Sequence, residues 1–252
     1  MSKTTIVIPA RYASTRLAAK LLRDLNGRSV LQRTYEQATQ ARLADEVWIA
    51  TDSQEILEHA QSFGANVAMT RADHQSGTDR IAELALAHPD WSLIINVQGD
   101  EPFINPADID KAIEPLTIDP LSQMSSLYHK LYELSEIKNP NNVKVVTDIN
   151  NEALYFSREA VPHLRGVSEL ELQELLKTKE LSYQKHIGLY CYRRETLIQL
   201  STLPQTKLEQ KEKLEQLRAL ENGIKIKMIQ VESAPIGIDT EEDLNKAKNS
   251  YY

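Results

Sequence analysis

The sequence is short of cysteine and of long apolar runs, and each shortage excludes a class of protein. Cys191 is the only cysteine among the 252 residues, so neither an intrachain disulfide nor a metal site built from several thiolates is available. The apolar run near the N-terminus, IVIPA, lacks the length of a signal-peptide core, and no later run approaches a membrane span. We therefore expect a globular protein of the cytoplasm.

Positive charge is also in deficit. The chain has 29 lysine and arginine residues against 36 aspartate and glutamate residues, which gives a formal net charge of −7. An acidic chain has no general affinity for nucleic acid or for an anionic membrane, so neither is expected as a partner. A polyphosphate substrate would need a local cluster of basic side chains and a metal cation.

The first half of the sequence contains a regular alternation of strand and helix signals. Apolar, β-branched segments predict strands at 4–9, 46–51, 66–69 and 92–97. Helices are predicted between them at 30–43, 53–63 and 78–86, with Ser29 as the first N-cap. This alternation predicts an α/β fold with a Rossmann-like, mostly parallel sheet flanked by helices.

The second half has a different pattern. Strands are predicted at 124–131, 143–148 and 153–157 without intervening helices, so residues 123–160 are expected to form a smaller antiparallel β lobe. Further helices are predicted at 169–179, 208–221 and 241–248, and further strands at 184–193 and 225–231. Neither an internal repeat nor an interdomain linker is evident, so residues 1–252 are interpreted as one domain.

Three polar segments, 11–20, 71–80 and 98–101, lie where predicted strands end or helices begin. In parallel sheets, ligands bind beyond the carboxyl ends of the strands. The first segment places Arg11, Arg16 and Lys20 around Ser14, and several cations at one strand end suit a triphosphate. A solvated basic loop is the alternative interpretation of these side chains.

The second and third segments carry different chemistry. Gly77 permits close backbone approach, and N–H groups before a helix can hold a ligand carbonyl or anion. The alternative is a capping turn with Ser76 or Thr78 as the N-cap. Asp100 follows a buried strand, where a carboxylate can hold Mg²⁺ against phosphates, and Asp239 in a later turn is its candidate partner. Helix capping is the alternative role for either aspartate.

Candidates for a substrate rich in hydroxyl groups lie in the second half. Glu209, Glu212 and Glu215 fall along one flank of a predicted helix and form either a solvated face or a sugar-binding face. His186 and Tyr190 have even spacing in one strand and so point to one side of it. Asp52 is interpreted as structural, and Cys191 as a buried small apolar residue.

Eight segments together resemble the 3-deoxy-manno-octulosonate (Kdo) cytidylyltransferase family. They are IPARYASTRL, DHQSGTDR, NVQGDEPF, NPNNVKVV, ALYFSR, HIGLYCYR, KLEQLRALENG and GIDTEEDL, in family order along nearly the whole chain. The resemblance implies a nucleotide-diphospho-sugar transferase-like fold. It also implies that the anomeric hydroxyl of Kdo attacks the α-phosphate of CTP, giving CMP-Kdo and pyrophosphate for lipopolysaccharide biosynthesis.

The resemblance also implies roles for particular residues. Arg11, Lys20 and Asp100 would be catalytic, and Asp100 and Asp239 would coordinate Mg²⁺. The nucleotide would be bound by Ala10, Arg11, Ser14, Arg16, Lys20, Arg71, Ser76 and Gly77. The sugar would be bound by Arg80, Gln98, His186, Tyr190, Glu212 and Gln216. The family further implies a homodimer, with the 123–160 lobe contributing to its interface.

One segment departs from the family pattern. The family loop runs Arg-Leu-Pro-Gly-Lys-Pro-Leu, whereas this chain has Ala18 and Ala19 in place of the first proline and the glycine, and Leu21 in place of the second proline. Losing glycine removes easy access to positive φ, and losing both prolines lets the loop form a helical turn. Two alternatives therefore stay open: an enzyme for 8-amino-3,8-dideoxy-manno-octulosonate or another acidic 2-keto sugar, and a catalytically weak binding paralogue.

Overall fold

The computed structural model describes residues 2–12 and 17–250, and these fall into two compact units. The first unit comprises Met1–Asp119, Leu189–Thr202 and Pro235–Tyr252. The second comprises Pro120–Gly188 and Leu203–Ala234, so the expected 123–160 lobe is one part of a larger unit.

The first unit contains four strands of its own and the last part of a fifth. The strands are β1 Lys3–Ala10, β2 Glu46–Thr51, β3 Asn66–Met69, β4 Trp91–Asn96 and the end of β8 Tyr183–Arg193. Its helices are α1 Val30–Ala38, α2 Gln54–Ser62, α3 Gly77–Ala87, α4 Pro106–Ile118, α7 Arg194–Thr202 and α10 Glu241–Ser250, with a 3₁₀ turn at Lys20–Leu22.

The sheet of the first unit has the order β3-β2-β1-β4-β8. Strands β1 to β4 are parallel to one another, and Ile6 at the centre of β1 pairs with Val47 on one side and Ile95 on the other. Only β8 runs antiparallel, against β4. The predicted fold class, a mostly parallel sheet flanked by helices, is therefore confirmed. Parallel strands also bring the carboxyl ends of β1 to β4 to one edge, where the predicted polar segments begin.

Side-chain caps fix where the helices of this unit begin. Ser29 accepts a hydrogen bond from the backbone N–H of Gln32, which confirms its predicted role as the N-cap of α1. The predicted extension of α1 to residue 43 is wrong, because the helix ends at Ala38. The backbone N–H groups of Arg42 and Leu43 instead donate to the Asp110 carboxylate, both over 2.9 Å. That side chain holds the segment outside the helix.

Two helices of the first unit, α4 and α7, were not predicted. The start of α4 carries a recognisable signal, because Asn105 is its N-cap and Pro106 occupies its first turn. Both helices pack against β4 and so belong to the helical layers that flank the sheet, as the alternation of strands and helices predicts.

The second unit contains β5 Met124–Leu131, β6 Lys144–Thr147, β7 Ala153–Ser157, the first part of β8 and β9 Ile226–Gln230. Its helices are α5 Leu134–Lys138, α6 Glu169–Lys177, α8 Lys207–Glu212 and α9 Gln216–Glu221. The expectation of a purely antiparallel lobe without helices is wrong in two respects. Strand β5 pairs in parallel with β9, and α5 lies between β5 and β6. The antiparallel pairing of β6 with β7 was expected.

Packing explains why the short helix α5 forms. Its Ile137 is fully buried with Leu131, Leu176 and Tyr183 in one apolar cluster. Five residues give too short a window for helical periodicity to stand out in the sequence. The helix is therefore a product of this tertiary contact.

The predicted single helix at 208–221 is also wrong. Lys213 has a φ of 56° and separates α8 from α9. Glu209 is 5% exposed and forms an ion pair with Arg218. The distance from Arg218 Nε to Glu209 Oε2 is 2.9 Å. Because this pair links α8 directly to α9, the Glu209 side of α8 is an internal surface, and the interpretation as a solvated face fails there.

Two further sequence interpretations can be compared with the structure. Cys191 is a free, buried cysteine, as expected. Within residues 2–12 and 17–250, no helix combines the length and the apolar character needed to cross a membrane.

Candidate active site

The carboxyl edge of the first unit's sheet gathers side chains from segments that are far apart in the sequence. Strand β1 ends at the buried Ala10, and Arg11 follows it in an exposed position. Strand β4 leads through Gln98 to Asp100. The backbone N–H of Ile238 donates to the carbonyl of Asp100 over 2.9 Å, which brings the segment with Asp239 to the same edge.

Lys20 lies at the centre of this edge. Its Nζ forms ion pairs with Asp100 Oδ2 and with Asp239 Oδ1, the second over 2.9 Å. Burial alone would lower the pKa of Lys20, but the two carboxylates outweigh it, and its pKa is raised. The lysine is therefore a fixed positive charge held by two acids.

A helix start orients the Asp239 turn. The Asp243 carboxylate accepts hydrogen bonds from the backbone N–H groups of Asp239 and Thr240, over 3.2 and 2.9 Å. Thr240 Oγ1 in turn accepts from the backbone N–H of Asp243 over 3.2 Å, so these two residues form a capping box, and the capping role that was the alternative for Asp239 belongs to Thr240. The Asp239 carboxylate points to Lys20 instead.

The donor set at this edge fits a hydrated magnesium ion. Among the described residues no group of three or more His, Cys, Asp or Glu side chains forms a metal site. Mg²⁺ usually takes only one or two protein carboxylates and completes its shell with phosphate oxygens and water. Asp100 and Asp239, which already share one cation, supply such a pair.

Glu101, next to Asp100, has different surroundings. Its Oε2 is buried and has no hydrogen-bond partner among the residues that the structure describes. Burial, together with the neighbouring charge of Asp100, raises the pKa of Glu101 to about 8. These surroundings therefore favour the protonated form of Glu101.

The loop that departs from the family pattern has a defined conformation at its end. Ala19 has a φ of 48° and a ψ of 37°, in the left-handed region, and precedes the 3₁₀ turn Lys20–Leu22. The predicted helical turn is thus confirmed, and the residue in place of glycine adopts the conformation that glycine favours. Leu21 is 6% exposed and helps to anchor the turn. Ser14 and Arg16 lie outside the described residues.

The start of α3 is a capping box. Ser76 Oγ accepts from the backbone N–H of Asp79 over 3.1 Å, and the Asp79 carboxylate accepts from the backbone N–H of Ser76 over 3.0 Å. Gly77 suits this position, since a Cβ there would lie 3.2 Å from Pro9 Cγ, a tight contact that only a small shift of Pro9 would relieve. The helix thus starts directly against the end of β1. The capping role expected for Ser76 or Thr78 belongs to Ser76.

Arg11 and Arg71 lie near this helix start. The Arg11 guanidinium donates to the carbonyl of His74 over 2.9 Å, and Arg71 Nε donates to Asp73 over 3.0 Å. A cavity of about 350 Å³ has Arg71, His74 and Glu83 in its lining. Hydrogen bonds from His74 and the Arg71 backbone outweigh the effect of burial and lower the pKa of Glu83.

Arg80 lies deeper than expected for a residue that meets a sugar carboxylate. Its side chain is fully buried, and its guanidinium donates to Thr70 Oγ1 and, over 2.7 Å, to Asp52 Oδ2. Asp52 therefore has the structural role expected of it. The sugar contact of Arg80 stays a prediction.

Two other predicted sugar-side residues of the first unit are associated with Asn96 at the end of β4. Tyr190 of β8 pairs with Asn96 in the strand register. Gln98 donates from Nε2 to the Asn96 side chain over 3.3 Å. The polar positions around the end of β4 thus include Gln98, Asp100 and Tyr190.

The remaining sugar-side predictions lie in the second unit. His186 is buried, its Nε2 lies 3.0 Å from Ser126 Oγ, and Phe156 packs edge-on against its ring. Burial lowers the pKa of His186 to about 3, so the ring is neutral at pH 7. Glu212 ends α8 and Gln216 begins α9, on either side of the break at Lys213.

Sequence reasoning missed two basic residues of the second unit. Lys144 donates to the turn at 139–142, and Arg158 contacts both that turn and Glu212. The only sequence signal was their place in the segments NPNNVKVV and ALYFSR, to which no chemistry had been assigned.

Comparison with known proteins connects this geometry to a family. A cytidylyltransferase family model matches residues 5–226. The 3-deoxy-manno-octulosonate cytidylyltransferase of Geobacter metallireducens is 46% identical over 244 residues, covering 97% of this chain and 96% of its own. The protein of that name from Syntrophotalea carbinolica is 47% identical over 241 residues, covering 95% of each chain.

A solved structure agrees with these relatives. The CMP:2-keto-3-deoxy-manno-octonic acid synthetase complexed with CTP superimposes with a TM-score of 0.90 at 39% identity, covering 99% of this chain and 98% of that one. Because a family model covers most of the chain and curated relatives match it nearly end to end, the protein belongs to the 3-deoxy-manno-octulosonate cytidylyltransferase family.

Proposed function

We propose that this protein transfers the cytidylyl group of CTP to the anomeric hydroxyl of Kdo, giving CMP-Kdo and pyrophosphate for lipopolysaccharide biosynthesis. The observation that carries the proposal is the cluster of Lys20, Asp100 and Asp239 at the carboxyl edge of the sheet. Two carboxylates and one ammonium group at such an edge suit a nucleoside triphosphate and its metal ion. The names of the relatives supply the sugar.

The reaction exchanges one phosphorus–oxygen bond for another. The anomeric oxygen bonds to the α-phosphorus, the bond from the α-phosphorus to the bridging oxygen breaks, and pyrophosphate leaves with that oxygen. The hydroxyl proton is released to the medium. Such a transfer depends on positioning and on charge neutralisation more than on covalent participation by the protein.

The residues of the carboxyl edge divide this task. Lys20 turns its ammonium from the two aspartates to the phosphates, whose negative charge favours its protonated form. Arg11 neutralises further phosphate charge, with Arg16 and Ser14 assisting. Asp100 and Asp239 hold Mg²⁺. When bound, that ion stabilises the negative charge that develops on the phosphate oxygens.

The remaining roles concern recognition of the two substrates. On the nucleotide side we assign Ala10, Arg71, Ser76 and Gly77 to the nucleoside. On the sugar side we assign Arg80, Gln98, His186, Tyr190, Glu212 and Gln216. The neutral His186 ring can exchange a hydrogen bond with a sugar hydroxyl without adding charge.

Assembly and location are part of the proposal. We propose a homodimer whose interface includes the 123–160 region, where Ile149 is 98% exposed and Leu154 62% exposed. Burying these apolar side chains against a second subunit would be favourable. Sedimentation of the wild type and of Ile149→Lys with Leu154→Lys tests this: we expect a dimer that dissociates on substitution. The reaction is placed in the cytoplasm, where CTP is made.

A pyrophosphate-release assay tests the activity. Purified protein with CTP and Mg²⁺ is given Kdo or 8-amino-3,8-dideoxy-manno-octulosonate in parallel, and we expect higher kcat/KM with Kdo. Higher kcat/KM with the amino sugar would reassign the substrate. Tight CTP binding by calorimetry, without turnover on any 2-keto sugar acid, would instead identify a binding paralogue. The Lys20→Met variant serves as the inactive control.

A further inference from the structure

Lys144 in β6 is a lysine with no exposed surface. Its ammonium donates to the carbonyl oxygens of Asn139 over 3.2 Å, of Asn142 over 2.6 Å, and of Arg158. An ammonium has three protons, and three acceptors receive them. Lysine is almost never fully buried unless it is paired, so this arrangement ties the 139–142 turn firmly to the end of β7.

Arg158 extends this tie to α8. Its Nε donates to the carbonyl of Glu212 over 2.7 Å, its Nη2 to that of Lys213 over 3.4 Å, and its Nη1 to that of Pro140 over 3.0 Å. Lys144 and Arg158 therefore hold three backbone segments together: the 139–142 turn, the end of β7 and the end of α8.

The carboxylate of Glu212 is oriented by the same strand end. Its Oε1 accepts from Ser157 Oγ over 2.8 Å and from Tyr155 OH over 3.4 Å, and its Oε2 accepts from the backbone N–H of Arg158 over 3.0 Å. A carboxylate offers about four lone-pair positions. These contacts use three of them and fix the plane of the group while leaving acceptor capacity at Oε2.

Charge couples the same residues. Burial lowers the pKa of Lys144, while the negative charges of Glu159 and Glu212 oppose that effect. The attraction acts in both directions, so the Lys144 ammonium also helps to hold the Glu212 carboxylate in place. A neutral side chain could also link the turn to the strand by hydrogen bonds. A buried cation in addition attracts the nearby carboxylates of Glu159 and Glu212.

We propose that Lys144 and Arg158 are positioning residues for the sugar substrate, because together they hold the Glu212 carboxylate in one orientation. The inference rests on the proposed function, in which Glu212 accepts a hydrogen bond from a sugar hydroxyl. It assigns the segments NPNNVKVV and ALYFSR to substrate specificity through their two basic residues.

Steady-state kinetics of Lys144→Met test the proposal, with Lys185→Met as the matched control. Lys185 pairs with Lys144 in the strand register, so the control removes the same charge from the adjacent strand. We expect Lys144→Met to raise the KM for Kdo about tenfold or more, as for loss of a hydrogen bond to a charged group. The KM for CTP should stay within about twofold, since the change acts on the sugar side alone. Lys185→Met should change neither constant.

Arg158→Lys provides a second variant if Lys144→Met does not fold. This variant keeps the hydrogen bond from the backbone N–H of residue 158 to Glu212. It loses the guanidinium, which donates to backbone carbonyls at the end of α8. The KM for Kdo should therefore rise and the KM for CTP should not. Folded variants at either position with an unchanged KM for Kdo would overturn the inference. So would variants that raise both KM values equally, because that pattern indicates general loosening of the fold.

Glu212→Gln separates this inference from the proposed function. Glu212→Gln could raise the KM for Kdo while the variants at Lys144 and Arg158 leave it unchanged. Glu212 would then remain a sugar ligand, and the positioning role of Lys144 and Arg158 would be rejected. An unchanged KM for Kdo would remove Glu212 from sugar binding and overturn the inference, while turnover by the wild type would still stand. Absence of wild-type turnover with Kdo would count against the proposed function itself.

Discussion

The ammonium of Lys20 lies between the carboxylates of Asp100 and Asp239, 2.9 Å from Oδ1 of Asp239. The three residues come from distant parts of the chain, and each is positioned by a different device. Lys20 begins a 3₁₀ turn, Asp100 follows the strand β4, and Asp239 precedes a capped helix. A lysine shared by two acids must exchange partners when a triphosphate and a metal ion enter.

Asp100→Asn tests this cluster. The substitution removes the charge on which both Lys20 and a metal ion depend, so we expect kcat to fall about a hundredfold or more. Asp90→Asn is the matched control, because Asp90 forms a surface ion pair with Lys3. Pyrophosphate release measures both variants, and near-wild-type turnover in Asp100→Asn would remove that residue from its role.

Ala19→Gly tests the loop that departs from the family pattern. Because Ala19 has a φ of 48°, glycine relieves strain that exceeds its own entropic cost, and stability should rise by about 0.5–1 kcal/mol. Ala18→Gly is the control: Ala18 has no positive φ, so the change should destabilise the protein slightly. Urea unfolding gives both values. Equal changes in the free energy of unfolding in the two variants would show that the backbone of Ala19 is not strained.

Glu209→Gln tests the buried ion pair between α8 and α9. The variant leaves the charge of Arg218 buried without its anion, so we expect a loss of about 3–5 kcal/mol in the free energy of unfolding. Glu174→Gln breaks an exposed pair with Lys177 and should cost less than about 1 kcal/mol. Similar losses in the two variants would show that burial of the first pair carries no special weight.

His186 gives a prediction about acid stability. Its pKa is about 3 in the folded protein and near 6.5 when unfolded, so the unfolded chain binds the extra proton between these values. Stability from this group is therefore complete above pH 6.5 and falls as the pH drops towards 3, by up to about 1.4 kcal/mol per pH unit.

The variant His186→Gln should flatten this slope in urea unfolding between pH 6.5 and 4. His163→Gln, at an exposed position, should leave the slope as in the wild type. An unchanged slope in His186→Gln would mean that the buried ring does not carry the effect.

The strands were the part of the fold most readily predicted from the sequence. Apolar runs ending in polar segments predicted the observed bounds of β2, β3, β5 and β7. They could do so because the residues of a buried strand are consecutive in the sequence. The same reasoning located the carboxyl edge where Lys20 and Asp100 meet.

Other features depend on contacts that local patterns do not encode. The break at Lys213 accompanies an ion pair between Glu209 and Arg218, which looks in sequence like two ordinary exposed charges on one helix. The burial of Arg80 depends on Asp52, 28 residues away. The support of Glu212 by Lys144 and Arg158 required three separate segments to be brought together.

The burial of Cys191 makes this protein convenient for site-specific labelling. Burial in β8 raises the pKa of its thiol, so the side chain stays protonated and inaccessible to maleimide reagents. A single cysteine introduced at an exposed position outside the proposed interface, such as Leu170, would react selectively without removal of the native one. A fluorophore placed there could report on subunit exchange in an otherwise unmodified chain.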